Sequence, residues 1–170
     1  MANHIVLFEP LMPANTGNIA RTCAGTDTVL DLIEPLGFSV DDKHLKRAGL
    51  DYWDKVDIHY HKNLQAFLET VKDPTKLFLV SKFAEQDYTE PDYSDSDQDY
   101  YLLFGKETTG LPEPFMRKNP EKAIRIPQDD SHIRALNLSN SCAIVIYEVL
   151  RQQNFNQLEK THMYENDKLK

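Results

Sequence analysis

The sequence predicts an α/β domain built on an open, mainly parallel sheet. Three observations carry that expectation. Short, nearly continuous apolar runs recur along the chain, as strands covered on both faces require. Segments with helical spacing of apolar residues lie between them. Turn-forming residues collect where the runs end.

Taken in order, Ile5–Phe8, Val29–Ile33, Lys76–Val80, Tyr100–Phe104 and Ala123–Ile126 read as strands. Thr16–Ala24 reads as a helix, with Asn15 as its N-cap, and a charged helix is expected near Asp41–Ala48. In Leu64–Val71, residues Leu64, Phe67, Leu68 and Val71 fall on one helical face. Asp87–Asp99 is polar, acidic and tyrosine-bearing, and reads as an exposed loop. Pro112–Pro120 holds three prolines, leaving room for at most one helical turn. The last helix spans about Asn137 to Gln153, where Leu138, Cys142, Ile146, Val149 and Leu150 form a stripe that Ala143, Val145 and Tyr147 widen almost all the way round. A helix so apolar has more than one face to bury, so part of it is expected to meet a second subunit. Residues 1–155 make one domain, and 156–170 a polar, frayed tail.

The 170 residues include 41% hydrophobic and 27% charged residues, an ordinary globular balance. No apolar run approaches the roughly 20 residues that span a bilayer. Without a signal-like leader, a cytoplasmic location is expected. Cys23 and Cys142, the only cysteines, read as buried reduced thiols. The net charge of −8 argues at first against a nucleic-acid partner. It is concentrated, however: Glu85–Asp99 carries seven acids and no base, and outside it 19 basic residues face 20 acidic ones. Lys43, His44, Lys46 and Arg47 form one basic cluster, and Arg117, Lys118, Lys122 and Arg125 another. A solvated surface accounts for either on charge alone. Composition neither demands nor excludes RNA.

Three segments hold most of the specificity. The first, Asn15-Thr16-Gly17-Asn18-Ile19-Ala20-Arg21, opens a helix after the first strand. Its early amides suit an anion or a ribose, and Arg21 can share a face with Gly17 and Asn18; a capped helix with a solvent-facing arginine is the plain alternative. The second, Phe104-Gly105-Lys106-Glu107-Thr108-Thr109-Gly110-Leu111-Pro112, leaves the end of a strand, where open α/β sheets bind ligands. Its glycines permit close approach, and Glu107 can hold backbone amides or a ligand's hydroxyl or amine. The third runs from Ile126-Pro127 to Leu136-Asn137-Leu138-Ser139-Asn140-Ser141 and brings small polar groups to a helix start, with Asn137 or Ser139 as N-cap. Gly-x-Gly turns, Gly-Lys-Ser/Thr, His-Glu-x-x-His and Gly-x-Ser-x-Gly are all missing. His44, His59 and His61 lack metal spacing, so no metal is expected.

These segments, in this order, resemble the motifs of SPOUT RNA methyltransferases, and most closely the bacterial tRNA branch that methylates the 2'-hydroxyl at the wobble position, 34. Phe8-Glu9-Pro10, Ile33-Glu34-Pro35-Leu36-Gly37-Phe38, Asp41-Asp42-Lys43 and Arg47-Ala48-Gly49-Leu50-Asp51-Tyr52 add to the likeness, which covers roughly residues 4–153. The resemblance implies a deep C-terminal trefoil knot, a rare departure from unthreaded chains. It also implies a homodimer and S-adenosylmethionine as methyl donor, with S-adenosylhomocysteine as product. Matching motifs assign donor contacts to Val80, Gly105, Ile126, Ala135 and Leu136. The branch commonly has Ser at the position of Ala135, so a side-chain hydrogen bond is lost there. Gln128 and the length of Asp129–His132 also depart from the pattern.

The same resemblance assigns the acceptor side to Arg21, with Asn18, Glu107, Ser139 and Asn140 completing the site. Arginine is a poor base, so Arg21 is expected to orient the 2'-hydroxyl and stabilise the developing alkoxide. With no separate RNA domain expected, a tRNA anticodon arm would lie across both subunits, meeting Lys43, Lys46 and Arg47, with Tyr52 or Trp53 stacking on bases or packing in the core. Another tRNA or ribosomal ribose is the rival within this chemistry. A non-catalytic RNA-binding relative and a flavodoxin-like cofactor binder are the rivals outside it.

Overall fold

The Val-, Leu- and Ile-rich runs, with two short polar strands, pair as a seven-stranded sheet in which every ladder is parallel. The computed structural model describes residues 1–41 and 43–170, and at 46 and 48–51 the backbone alone. In chain order the strands are β1 (Asn3–Phe8), β2 (Val29–Ile33), β3 (Ile58–His61), β4 (Leu77–Val80), β5 (Gln86–Asp87), β6 (Tyr100–Phe104) and β7 (Ala123–Arg125). In space they run β3-β2-β1-β6-β4-β7-β5. The helices are α1 (Pro13–Thr26), α2 (Lys43–Trp53), α3 (Leu64–Leu68), α4 (Glu113–Lys118) and α5 (Leu138–Gln152).

Alternation along the central strands divides the core into two layers. Ile5, Leu7, Leu30, Leu32, Leu102 and Phe104 face α1 and α5 and pack against Ile19, Cys23, Cys142, Val145 and Ile146. Val6, Ile33, Leu79, Tyr101 and Leu103 face the other way, over Phe67 of α3. Beside that second layer Asp31 is only 2% exposed and accepts from His4 Nδ1 and His61 Nε2, each at 2.7 Å.

All five expected strands form, with ends shifted by a residue or two where a neighbour competes. Lys76 closes a 3-10 turn begun by Pro74 instead of opening β4. Two strands were not expected. Ile-His-Tyr-His of β3 carries too little apolar character to announce itself, because only one strand pairs with it, and β5 has just two residues.

Four expectations are corrected. Asn15 is no N-cap: α1 begins at Pro13, whose ring suits a first helical position, and Asn15 lies buried inside. Asp87–Asp99 is no free loop either. Tyr93 is wholly buried under α5, where Gln152 accepts its amide hydrogen and Gln153 donates to its carbonyl, and Asp99 takes the Ala2 amide and Lys72. Pro112–Pro120 holds six helical residues, since Pro114 stands in the first turn where no amide is needed. The apolar spacing of Leu64–Val71 stops being helical after Leu68.

α5 keeps its expected span and its N-cap, Asn137. Its outer face still shows Ile144 and Tyr147. Phe155 and Leu158 fold back on the core, so the polar tail is anchored at its start. Both cysteines are free and buried. Among the described residues no helix is long and apolar enough to cross a membrane.

Candidate active site

The three motifs begin at the ends of β1, β6 and β7, which lie together because parallel strands all end on the same side. Side chains then fasten the loops. The Glu107 carboxylate accepts the amide hydrogens of Leu11 and Met12 at 2.8 and 3.0 Å, and that of the Asn15 side chain at 3.4 Å. It thus satisfies free amides at the start of α1, a helix whose own N-cap Met12 provides no side-chain acceptor. Asn15 in turn accepts from Asn137 Nδ2 at 3.1 Å. The Asn137 oxygen takes the Asn140 amide and the Ser139 hydroxyl, at 3.2 and 2.6 Å. One hydrogen-bonded line therefore joins all three motifs.

The middle loop owes its shape to two glycines. A Cβ on Gly105 would lie 2.2 Å from the Gly110 carbonyl carbon, so nothing larger fits where Lys106 and Gly110 exchange main-chain hydrogen bonds. Gly110 takes φ +70°, which L residues resist. Beside it Lys106 pairs with Glu9 at 2.5 Å and tethers the loop to the end of β1.

These loops enclose a cavity of about 620 Å³. Val80, Gly105, Ile126, Ala135 and Leu136, the five expected donor contacts, all line it, as do Glu107 and Asn15. Asn18, Arg21, Ser139 and Asn140 do not stand among its lining residues. Ser139 and Asn140 reach the site through Asn137, whereas Asn18 and Arg21 point to solvent from α1. Gly17 is buried and does not share their exposed face. The Arg21 guanidinium rests 5.1 Å from the centre of the Tyr52 ring.

Of the expected RNA contacts, Lys43 and Arg47 are exposed on α2. Lys46 and the string Ala48–Asp51 have no described side chains, and Asp42 lies outside the described residues. Trp53 packs against the core. The second basic cluster is engaged locally, with Arg117 on Glu113, Lys122 on the Pro74 carbonyl and Arg125 on Asp130. Burial pushes the Cys142 thiol well up, and the nearby Cys23 and Glu107 add to it; burial, then Asp31, does the same to Cys23. Both thiols are protonated and chemically quiet.

Sequence reasoning missed Asn137 as a link between motifs, and missed Ser81, Lys82, Phe83 and Arg134 at the cavity. The first has no local signal, because Asn137 and Asn15 are 122 positions apart. The others did have one, since Ser81–Phe83 leave the end of β4 as the second motif leaves β6.

Known proteins resemble this chain along most of its length. The model of the SpoU rRNA Methylase family matches residues 2–147. A protein of Lactobacillus gasseri, provisionally named an RNA (cytidine(34)-2'-O)-methyltransferase, is 62% identical over 170 residues, 100% of this chain and 91% of its own. The tRNA (cytidine(34)-2'-O)-methyltransferase of Escherichia coli K12 is 46% identical, with 88% of this chain and 92% of the relative aligned. A crystal structure of a provisionally assigned RNA methyltransferase from Bacillus anthracis superposes with a TM-score of 0.88 at 52% identity, covering 95% of this chain and 100% of that one. With a match that runs through all three motifs and a relative 62% identical, the chain belongs to the SpoU methylase family.

Proposed function

We propose that this protein transfers the methyl group of S-adenosylmethionine to the ribose 2'-hydroxyl of the wobble nucleotide, position 34, of tRNA, leaving S-adenosylhomocysteine. The observation that carries the reading is the union of three loops around one cavity through Glu107, Asn15 and Asn137. The names of the relatives point to the same reaction, as does a solved structure from work on 2-OH methylation of C/U34 on tRNA, 39% identical with a TM-score of 0.81 over 91% of this chain and 97% of its own.

The cavity suits the donor. Its volume falls in the range of about 300–1,000 Å³ usual for small-molecule sites. Val80, Ile126, Leu136 and Leu138 give it apolar walls, and backbone at Gly105, after β6, and at Ala135, in the loop before α5, gives it polar groups. Val80, Gly105, Ile126, Ala135 and Leu136 would hold the donor, Ala135 through its main chain only. When bound, the donor supplies a methyl group activated by a positively charged sulfur.

The chain's residues then have to align the ribose oxygen and stabilise its charge as the proton leaves. Arg21 orients the 2'-hydroxyl and steadies the developing alkoxide, its guanidinium held near an RNA phosphate. Positioning of this kind is worth several kcal/mol, up to roughly 7–11. Asn18, Ser139 and Asn140 complete the polar surround, and Glu107 fixes the start of α1 so that these groups keep their register.

Arg21 lies six residues beyond the cavity-lining Asn15 on α1, roughly 9 Å by helical rise, and its exposed side chain is not among those that line its own chain's cavity. A homodimer accounts for that separation, because Arg21 of a second copy can face the cavity of the first. Exposed Ile144 and Tyr147 on α5 support such a contact. A deep trefoil knot is supported by the strand order: the chain lays down β5, crosses to add β6 on the far side of β4, and returns to fill the slot between β4 and β5 with β7. The tRNA anticodon arm would meet Lys43 and Arg47, which are exposed on α2, and work on tRNA fits a cytoplasmic protein.

Purified protein, S-adenosylmethionine and tRNA lacking the modification test the reading directly. Mapping of alkali-resistant ribose should show a single new methyl at position 34. A methyl elsewhere overturns the assigned position, and none at all overturns the activity.

A further inference from the structure

Next to the donor cavity, sharing Lys82 and Phe83 with it, lies a second cleft, of about 560 Å³. Lys82, Phe83, Arg125, Asp130, Ile133 and Arg134 are among the residues that line it, and four of these (Lys82, Phe83, Ile133 and Arg134) also line the donor cavity, so the two spaces adjoin. Phe83 is 76% exposed, although its loop is ordered by a hydrogen bond from its amide to Ser81 Oγ. The Lys82 ammonium sits 5.3 Å from the centre of that ring and donates to the Arg134 carbonyl at 3.1 Å, joining the loop after β4 to the loop before α5. The acids nearby are already engaged, Asp130 with Arg125 and Gln128, and Asp129 with Ser131 and His132. Among the described residues the Arg134 guanidinium has no ion-pair partner.

An exposed aromatic face flanked by cations, in a chain of net charge −8, is the combination that single-stranded nucleic acid selects: stacking on the ring, phosphate on the cations. Lys82, Phe83 and Arg134 stand where the two spaces meet, so a nucleotide in the second cleft would lie beside the donor. We propose that this cleft seats the nucleotide next to the methylated ribose, with its base stacked on Phe83 and its phosphate met by Lys82 and Arg134. This rests on the RNA methyltransferase reading above and names a contact surface for that substrate.

The test uses the full chain and a tRNA transcript carrying 2-aminopurine beside position 34. Binding should quench the fluorophore with wild type and with F83W, but not with F83A. F83A should raise the KM for tRNA about tenfold, within the range for a lost stacking partner, and F83W should restore it, with tRNA affinity falling further than donor affinity in F83A. R134Q and K82Q should each lower the slope of log affinity against log salt by about one. A donor Kd that weakens in F83A while tRNA affinity holds would overturn the proposal and turn the ring toward the donor. Unchanged quenching in F83A would overturn it as well. If wild type itself transfers no methyl to tRNA, the underlying reading fails instead, and the two failures are told apart by that control.

Discussion

Asn137 donates its side-chain amide to the Asn15 carbonyl at 3.1 Å, joining the cap of α5 to the first turns of α1. The same Asn137 oxygen serves the Asn140 amide and the Ser139 hydroxyl. N137A should therefore remove a cap worth about 1 kcal/mol and the tie between two motifs. In urea unfolding the midpoint should fall, and calorimetry should show weaker donor binding. Lost stability with unaltered donor affinity would reduce Asn137 to a cap alone.

Gly105 and Gly110 are expected to respond differently to the same substitution. In G105A the new methyl meets Gly110 main chain at 2.2 Å, an overlap that costs about 3 kcal/mol or more and should abolish donor binding. In G110A nothing lies within 4 Å of the added carbon, so only the left-handed backbone is strained, at about 1 kcal/mol. Comparable losses in the two variants, read from their denaturation midpoints, would contradict the packing described for Gly105.

Asp31 gives the fold a sensitivity to acid. Burial alone would raise its pKa, but the hydrogen bonds from His4 and His61 outweigh burial and hold it below the usual carboxylate range. A depressed folded pKa stabilises the native state above the unfolded value, about 3.9, and that contribution is lost as pH falls through the folded value. D31N should cost about 3 kcal/mol at neutral pH, through two weakened charge-assisted bonds. It should also flatten the stability curve below about pH 4. An unchanged acid limb in D31N would assign that limb to other groups.

R21A should leave donor affinity within about twofold and slow methyl transfer at least about 100-fold, the scale on which losing a transition-state donor acts. Single-turnover rates separate the two quantities. A normal rate in R21A would remove Arg21 from the reaction. The exposure of Arg21 makes a folding defect a poor explanation for any loss.

Much of this was legible in the residues. Val29–Ile33 and Tyr100–Phe104 were readable to their ends because parallel strands inside the sheet are mostly apolar on both faces, even with Asp31 in the middle of the first. The five donor-contact residues also line one cavity: Val80, Gly105 and Ile126 end or follow strands, whose ends gather on one side, and Ala135 and Leu136 come from the loop that enters α5. What stayed hidden was long-range or weakly patterned. Asn15 looked like a cap because caps are local, while its actual partners, Glu107 and Asn137, come from distant loops. Tyr93 looked exposed because its neighbours are acids; only the two glutamines at the end of α5 reveal that it is held down. β3, at one margin of the sheet, had no reason to be uniformly apolar.

The margins of the sheet are short: four residues in β3 and two in β5. Strands so brief offer a passing chain almost no ladder to extend, which is how natural sheets discourage fibre-like stacking. Two copies then have little backbone edge to share, which leaves side-chain surfaces such as Ile144 and Tyr147 of α5 to join them.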